Sequence, residues 1–170
     1  MSADEFRRAL PYVSDWIAKT LSDHARDVRS VATFGFARLP SYYSEHLLAG
    51  AKVAVVARCP VPPLSAMGLR QFAEFERMNP DGITYLDTYF VVSQHADLES
   101  LHFHELVHVV QWTILGAERF LTRYADGLEQ YGYRQSPLEL MAYAHEERFK
   151  SDSQPYSVEA EILEALRKLS

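Results

Sequence analysis

The 170-residue sequence predicts a single α+β domain over residues 1–170, with a small sheet of about three strands covered by helices. Three observations predict this class. Apolar residues recur at three- and four-residue spacing over several long segments, which is the helical period. Shorter segments rich in β-branched and aromatic residues favour strands. Hydrophobic residues make up 48% of the chain, which is enough to form a core.

In the first half of the chain, helical and extended segments alternate. The predicted helices are 4–27, 40–50 and 64–78, and the predicted strands are 30–37 and 52–58. Pro11 is expected to break or kink the first helix near its start. Residues 79–82 read Asn-Pro-Asp-Gly, which is a strong turn signal.

The second half begins with a predicted strand over 83–92 and is otherwise helical. The predicted helices are 98–115, 117–131, one that opens at Ser136 and Pro137, and 157–169 with Leu169 on its apolar side. Asp97 is expected to cap the helix over 98–115, which should end at Gly116. This order places the strand over 83–92 directly before that helix.

Composition excludes several classes of function. The net charge is −6 with no basic stripe, so nucleic acid is a poor candidate partner. Cys59 is the only cysteine, which excludes an intrachain disulfide and a cysteine-based zinc site. The N-terminus lacks a signal-like apolar segment, and the apolar runs are too short to span a membrane. A cytoplasmic protein without membrane contact is therefore expected.

The helix over 98–115 contains the sequence HELVH, a match to H-E-x-x-H. At 100° per residue, His104 and His108 lie about 40° apart on one helix face. Two imidazoles one turn apart can converge on one tetrahedral metal ion, and Glu105 can then reach a water bound to it. A shuffled chain of this composition would carry the match with a probability of about 0.02.

The alternative interpretation is a pair of satisfied core histidines that bind no metal. His102 lies about 120° from His108 on the helical wheel. We therefore expect His102 to be exposed or to support the site from behind, without acting as a ligand.

A catalytic zinc site needs a third protein ligand and one open position. The metzincin extension requires glycine and histidine where this chain has Gln111 and Ile114, so that class is excluded. The favoured ligand is Glu139, on the helix that opens at Ser136, and the alternatives are Glu146 and His145. Glu139 could instead form a capping box with Ser136, which would keep it from the metal.

H-E-x-x-H followed by Glu-x-x-Ala, here Glu139 to Ala142, resembles the gluzincin group of zinc peptidases, and the zinc-binding segment is also similar to small uncharacterised H-E-x-x-H-x-x-Q proteins. The resemblance covers residues 82–150, the expected metal-site core. It implies a zincin-like fold, Zn²⁺ and Glu139 as third ligand. It also implies a peptide or protein substrate paired along the strand that begins at Ile83 and ends at Val92.

The related E-x-x-A-D pattern has an aspartate where this chain has Tyr143. That aspartate normally orients a ligand histidine, so three alternatives stay open: the hydroxyl of Tyr143 does so here, another group does so, or the site is weaker. Tyr131, Tyr133 and Tyr143 are candidates to stabilise the oxyanion of the reaction.

The sequence thus predicts a zinc-dependent hydrolase, with peptidase as the leading subclass. A metal-activated water attacks the substrate carbonyl, and Glu105 acts as general base. Two alternatives stay open: an inactive zincin-like metal-binding or interaction protein, and a domain without metal in which Glu139 is only a cap. The metal could also be another divalent ion, because imidazole and carboxylate do not select zinc alone.

Overall fold

The computed structural model describes residues 3–151 and 154–168, which form seven α-helices and a four-stranded sheet. The predicted α+β class is confirmed, with four strands where about three were expected. The helices are α1 (Ala3–Asp23), α2 (Glu45–Gly50), α3 (Ala73–Glu76), α4 (Glu99–Leu115), α5 (Ala117–Tyr131), α6 (Pro137–Lys150) and α7 (Val158–Lys168). The strands are β1 (Val28–Ser30), β2 (Lys52–Val56), β3 (Gly82–Tyr85) and β4 (Thr88–Val92).

The sheet has the order β1-β2-β4-β3 and mixes the two pairing directions. β2 and β4 are parallel, with Ala54 opposite Phe90, whereas β1 and β3 pair antiparallel to their neighbours. Every residue of β4 is buried, which explains its continuous run of apolar and β-branched residues. β3 forms one edge of the sheet and lies next to α4.

The predicted strand over 83–92 is in fact a β-hairpin. Leu86 and Asp87 separate β3 from β4, and Leu86 adopts the left-handed conformation with φ 59°. Two-residue hairpin turns need positive φ and usually contain glycine or asparagine. Leucine at this position gives no turn signal, so the two strands look continuous in the sequence.

The predicted strand over 30–37 is wrong for most of its length. β1 ends at Ser30, whose hydroxyl accepts a hydrogen bond from the amide of Ala32 (3.3 Å) and starts the 3₁₀ turn Val31–Phe34. Serine competes in this way for backbone amides that a strand would use. The apolar residues of the turn pack inward without belonging to the sheet.

The predicted helix over 64–78 is reduced to the 3₁₀ turn Arg70–Phe72 and the single turn of α3. Gly68, with φ 89°, interrupts the helical backbone before it can form. The carboxylate of Glu76 accepts a hydrogen bond from the amide of Ser65 (2.9 Å), which ties the segment into a compact loop.

α1 continues through Pro11, which neither breaks nor ends it. The helix ends at Asp23, four residues before the expected boundary. Pro11 is exposed to solvent and lacks only its own amide, so a single intrahelical hydrogen bond is lost. The face with Phe6, Val13 and Ile17 is buried as the periodicity predicts.

α4 is the central helix, and most of its residues are buried on every side. It ends at Gly116 (φ 74°), as predicted. The expected cap by Asp97 is wrong, because the N-cap residue is Leu98 and has no side-chain cap. Instead, the carboxylate of Glu99 accepts hydrogen bonds from the amides of Arg38 (2.8 Å) and Leu39 (3.0 Å), which ties α4 to the preceding loops.

α5, α6 and α7 pack around α4. A side chain at Gly127 of α5 would lie 2.9 Å from the Ser136 hydroxyl, so glycine allows the start of α6 to approach closely. Ser136 occupies the N-cap position of α6 without a side-chain cap bond, and the apolar side of α7 includes Val158 and Ile162. Leu169, expected on that side, lies outside the described residues. Among the described residues, no helix is long and apolar enough to cross a membrane.

Candidate metal centre

His104 and His108 lie one turn apart on α4 and point to the same place. Their Nε2 atoms are 3.2 Å apart, and their rings meet edge to face with centroids 5.0 Å apart. The residues are only 5% and 6% exposed. The helical period therefore places two imidazoles, which are common metal ligands, side by side in the protein interior.

α6 brings Glu139 to the same point. Its Oε2 lies 3.6 Å from Nε2 of His104, and its Oε1 lies 3.5 Å from Nε2 of His108. Ala142, fully buried one turn further along α6, has a side chain small enough for α4 and α6 to pack closely. Stacking of Phe103 on Phe149, with centroids 4.4 Å apart, fixes the same pair of helices.

The three side chains approach one another at distances close to those between the ligands of a tetrahedral metal site. Zn–N and Zn–O bonds of about 2.0–2.1 Å at tetrahedral angles place two ligand atoms about 3.3–3.4 Å apart. The two Nε2 atoms are 3.2 Å apart, and the contacts of Glu139 with them, made by its two different oxygens, are 3.5 and 3.6 Å. The buried group of His104, His108 and Glu139 could therefore hold a metal ion.

The hydrogen bonds behind the imidazoles leave both Nε2 atoms available as ligands. The amide of Gln111 donates to the carbonyl of Leu138 (3.0 Å), so its oxygen faces Nδ1 of His108 at 2.8 Å. Nδ1 of His104 lies 3.2 Å from Oε2 of Glu146. Because an acceptor faces each Nδ1, a neutral ring would carry its proton on this nitrogen, and Nε2 could then present a lone pair to a cation.

The electrostatics of the group favour positive charge at its centre. Burial alone would lower the pKa of His104, but the carboxylates of Glu139 and Glu146 raise it to about 10. Burial would raise the pKa of Glu139, but the two imidazoles hold it far below its usual range. Oε2 of Glu139 is buried and accepts no hydrogen bond, while Oε1 accepts one from Tyr124 (2.6 Å). A cation between the three side chains would satisfy this atom.

Glu105 lies beside the three residues and is not one of them. Its Oε2 accepts a hydrogen bond from the hydroxyl of Thr84 in β3 (2.6 Å), and its side chain packs directly on the Cα of Gly82. The residue is 3% exposed, and burial raises the pKa of its carboxyl. β3 therefore fixes the position of the carboxylate.

Two cavities meet at Glu105. An open groove of about 660 Å³ is lined by His104, and an apolar recess of about 90 Å³ is lined by His108 and Glu139. Both cavities share five lining residues, which are Met78, Pro80, Gly82, Glu105 and Tyr133. The groove has the size typical of ligand sites and leads to the metal-ligand group from outside.

Tyr143 lies in the groove, and its ring packs against that of His104 with centroids 4.7 Å apart. The expectation that its hydroxyl orients a ligand histidine stays a prediction, since the contact seen is between the two rings. Glu146, one helical turn further on, faces His104 instead and also pairs with Lys150 (2.6 Å).

The remaining candidate site residues differ in whether they line the cavities beside His104, His108 and Glu139. His145 points away and hydrogen-bonds to the hydroxyl of Tyr156 (2.9 Å). Tyr131 is 51% exposed at the end of α5 and lines neither cavity, whereas Tyr133 lines both. Tyr124 was not among the predicted site residues. Its spacing of four residues from buried Phe120, on the inner face of α5, is the signal that could have identified it.

Of the two positions expected for His102, exposure is wrong, because the residue is fully buried, whereas its place outside the ligand group agrees with the expectation. Its Nδ1 accepts a hydrogen bond from the hydroxyl of Tyr89 (2.7 Å), and its Nε2 donates one to the carbonyl of Ala96 (2.9 Å). The helix face 120° from His108 packs against the sheet and not against solvent. His102 is thus a satisfied core histidine outside the ligand group.

Comparisons with protein-family models, with curated proteins and with solved structures found no match to this chain.

Proposed function

We propose that the protein is a zinc-dependent amide hydrolase with a zincin-like architecture, most simply a peptidase. His104, His108 and Glu139 bind the ion, and Glu105 is the general base. The observation that carries this proposal is the convergence of two imidazoles and the Glu139 carboxylate, with contacts of 3.2–3.6 Å, beside the separate carboxylate of Glu105.

Two imidazoles and one carboxylate are a ligand set typical of catalytic zinc, which keeps its fourth position open. The open groove beside His104 supports such a position. When bound, the ion supplies Lewis acidity, which polarises a carbonyl and lowers the pKa of a coordinated water from 15.7 toward about 7.

The presence of Glu105 favours a hydrolytic role for the ion over a purely structural role, since a structural site needs no general base. Its carboxylate accepts the proton of the attacking water and returns it to the leaving nitrogen. The hydrogen bond from Thr84 and the contact with Gly82 keep the carboxylate at the junction of the two cavities. Burial raises its pKa, which makes it a better proton acceptor than an exposed glutamate.

Two hydroxyls are suited to bind the oxyanion that forms at the substrate carbonyl. Tyr133 and Tyr143 line the groove, and burial raises the pKa of both, so each stays protonated at neutral pH. A protonated hydroxyl directed at the developing charge stabilises the transition state. Tyr131 is too exposed and too far along α5 for this role.

Substrate pairing is restricted to β3, because β4 is paired on both sides. The amide of Val92 donates to the carbonyl of Asp81 (2.9 Å). In an antiparallel pair, successive residues point their backbone N–H and C=O groups alternately toward and away from the neighbouring strand. The backbone groups of Gly82 and Thr84 therefore face away from β4. The indole of Trp112 already donates to the carbonyl of Thr84 (3.2 Å). Gly82 is therefore the residue whose amide and carbonyl can both pair with an extended substrate.

The deciding experiment combines metal analysis with a peptide-library digest. Protein purified without a histidine tag or added zinc should contain one ion per chain, and His104→Ala protein should contain none. Glu105→Gln protein should keep the ion and lose cleavage, whereas Glu164→Gln on the exposed face of α7 should behave as wild type. Equal cleavage by wild type and Glu105→Gln would refute the mechanism, and metal-free wild-type protein would refute the whole proposal.

A further inference from the structure

We infer that Arg134 selects substrates with a carboxylate close to the scissile amide, an inference that rests on the proposed hydrolase function. Arg134 lies in the turn between α5 and α6, just before the helix that carries Glu139. The turn is closed by a hydrogen bond from the amide of Ser136 to the carbonyl of Tyr133 (3.2 Å). Arg134 is exposed and lines the same groove as His104 and Glu105.

Two ring contacts in series hold the guanidinium near the metal-ligand group. The Arg134 guanidinium carbon lies 5.5 Å from the ring centroid of Tyr143, and that ring lies 4.7 Å from the ring of His104. The guanidinium is therefore within about 10 Å of an imidazole that would bind the ion. An extended chain advances about 3.3–3.6 Å per residue, so a carboxylate bound by Arg134 would lie only a few residues from the reacting carbonyl.

The other flexible charges of the groove already have partners. Asp81 pairs with His95 (3.3 Å), and Lys150 pairs with both Glu146 (2.6 Å) and Glu147 (3.3 Å). Among the described residues, Arg134 is the groove cation without a carboxylate partner.

Arginine at this place suits a carboxylate because its planar guanidinium offers two parallel N–H donors to the two oxygens. The contact with Tyr143 restricts the side chain and reduces the entropy lost on binding. Solvent screens the interaction, because the residue is exposed. We therefore expect a preference of about tenfold for a carboxylate over the matched neutral amide.

The test measures binding, so it does not depend on a known substrate. Hydroxamates coordinate an open metal position, and two matched probe pairs then place a carboxylate in the groove. One pair is hydroxamate-capped alanine with a free or an amidated C-terminus. The other is hydroxamate-capped glutamate amide and glutamine amide. Calorimetry on the zinc-loaded protein gives the four affinities, and the pair with the larger preference identifies a chain terminus or a side chain as the source.

Wild-type protein should bind at least one acidic probe about tenfold more tightly than its neutral partner. Arg134→Ala should abolish this preference, Arg134→Lys should keep part of it, and Arg167→Ala on exposed α7 should leave it unchanged. Higher ionic strength should weaken the preference, because solvent-exposed charges are screened. Absence of a preference, or its persistence in Arg134→Ala, overturns the inference.

Acetohydroxamate separates failure of the inference from failure of the proposed function. This probe reaches the ion without contacting Arg134, so all variants should bind it equally. Equal acetohydroxamate binding without any carboxylate preference refutes the role of Arg134 alone. No acetohydroxamate binding refutes the open metal position, and with it both proposals.

Discussion

Replacing Gly82 by alanine tests whether β3 positions the general base. The added Cβ would lie 2.7 Å from Cδ and 3.0 Å from Cγ of Glu105, and the three nearest atoms all belong to that side chain. The backbone of Gly82 does not need positive φ, so alanine is allowed there and only the contact with Glu105 changes. The expected effect of the substitution is therefore to displace the carboxylate of Glu105.

The size of the displacement follows from ordinary contact distances. Carbon atoms pack at about 3.5–4.0 Å, so the carboxyl group must retreat by roughly 1 Å. It must also stretch or lose the 2.6 Å hydrogen bond from Thr84. A misplacement of this size costs on the order of 10²-fold in catalytic rate. The ligand residues are not among the atoms displaced, so zinc content should stay at wild-type level.

The assay compares kcat on a peptide cleaved by the wild-type protein, together with zinc content and melting temperature. Gly50→Ala is the matched control, because a Cβ at Gly50 meets nothing within 4 Å. It should leave all three quantities unchanged. A Gly82→Ala protein with full zinc occupancy and a wild-type kcat would show that the position of Glu105 does not control the reaction.

Three further predictions concern the surroundings of the ligand group. Gln111→Leu removes the acceptor of His108 Nδ1 and should lower zinc affinity about 10–100-fold in a chelator competition. Ala142→Leu overfills the fully buried contact between α4 and α6, and should cost about 1–3 kcal/mol and reduce zinc affinity. Burial lowers the pKa of His145, so the folded state binds fewer protons than the unfolded state below about pH 6.5. Stability should therefore fall from pH 7 to 5, and less so in His145→Gln, by at most about 1.4 kcal/mol per pH unit.

Each of these three predictions can be contradicted by a specific result. Unchanged zinc affinity in Gln111→Leu would mean that the hydrogen bond to His108 does not support the ligand. Ala160→Leu on the exposed side of α7 is the control for added volume, and equal effects of the two leucines would rule out a packing cause. Parallel urea-unfolding profiles against pH for wild type and His145→Gln would exclude His145 as the proton-linked group.

The sequence predicts well the parts of the site that depend on local periodicity. The spacing of His104 and His108 follows from the helix alone, and α4 forms because its residues are apolar and Gly116 ends it. Glu139 also reaches the group, although Ser136 offered it a competing role as a cap. That competition is decided by packing, since Ala142 and Phe149 bring α6 against α4.

The parts that the sequence did not predict depend on contacts between distant segments. Leu86 occupies a turn position that leucine rarely adopts, so the hairpin was hidden in one apolar run. His102 is buried because a sheet covers that side of α4, which a helical wheel cannot reveal. The interaction of Glu146 with His104 links two helices and depends on their crossing, which no local pattern encodes.

α4 and α6 are separated in the chain by all of α5, yet the ligand group joins them at one point deep in the core. A bound ion would therefore act as a reversible cross-link between two core helices. Its binding energy adds to the free energy of unfolding in proportion to the logarithm of free metal concentration. The lifetime of the folded chain, and its resistance to proteases, would then follow the metal supply of its surroundings.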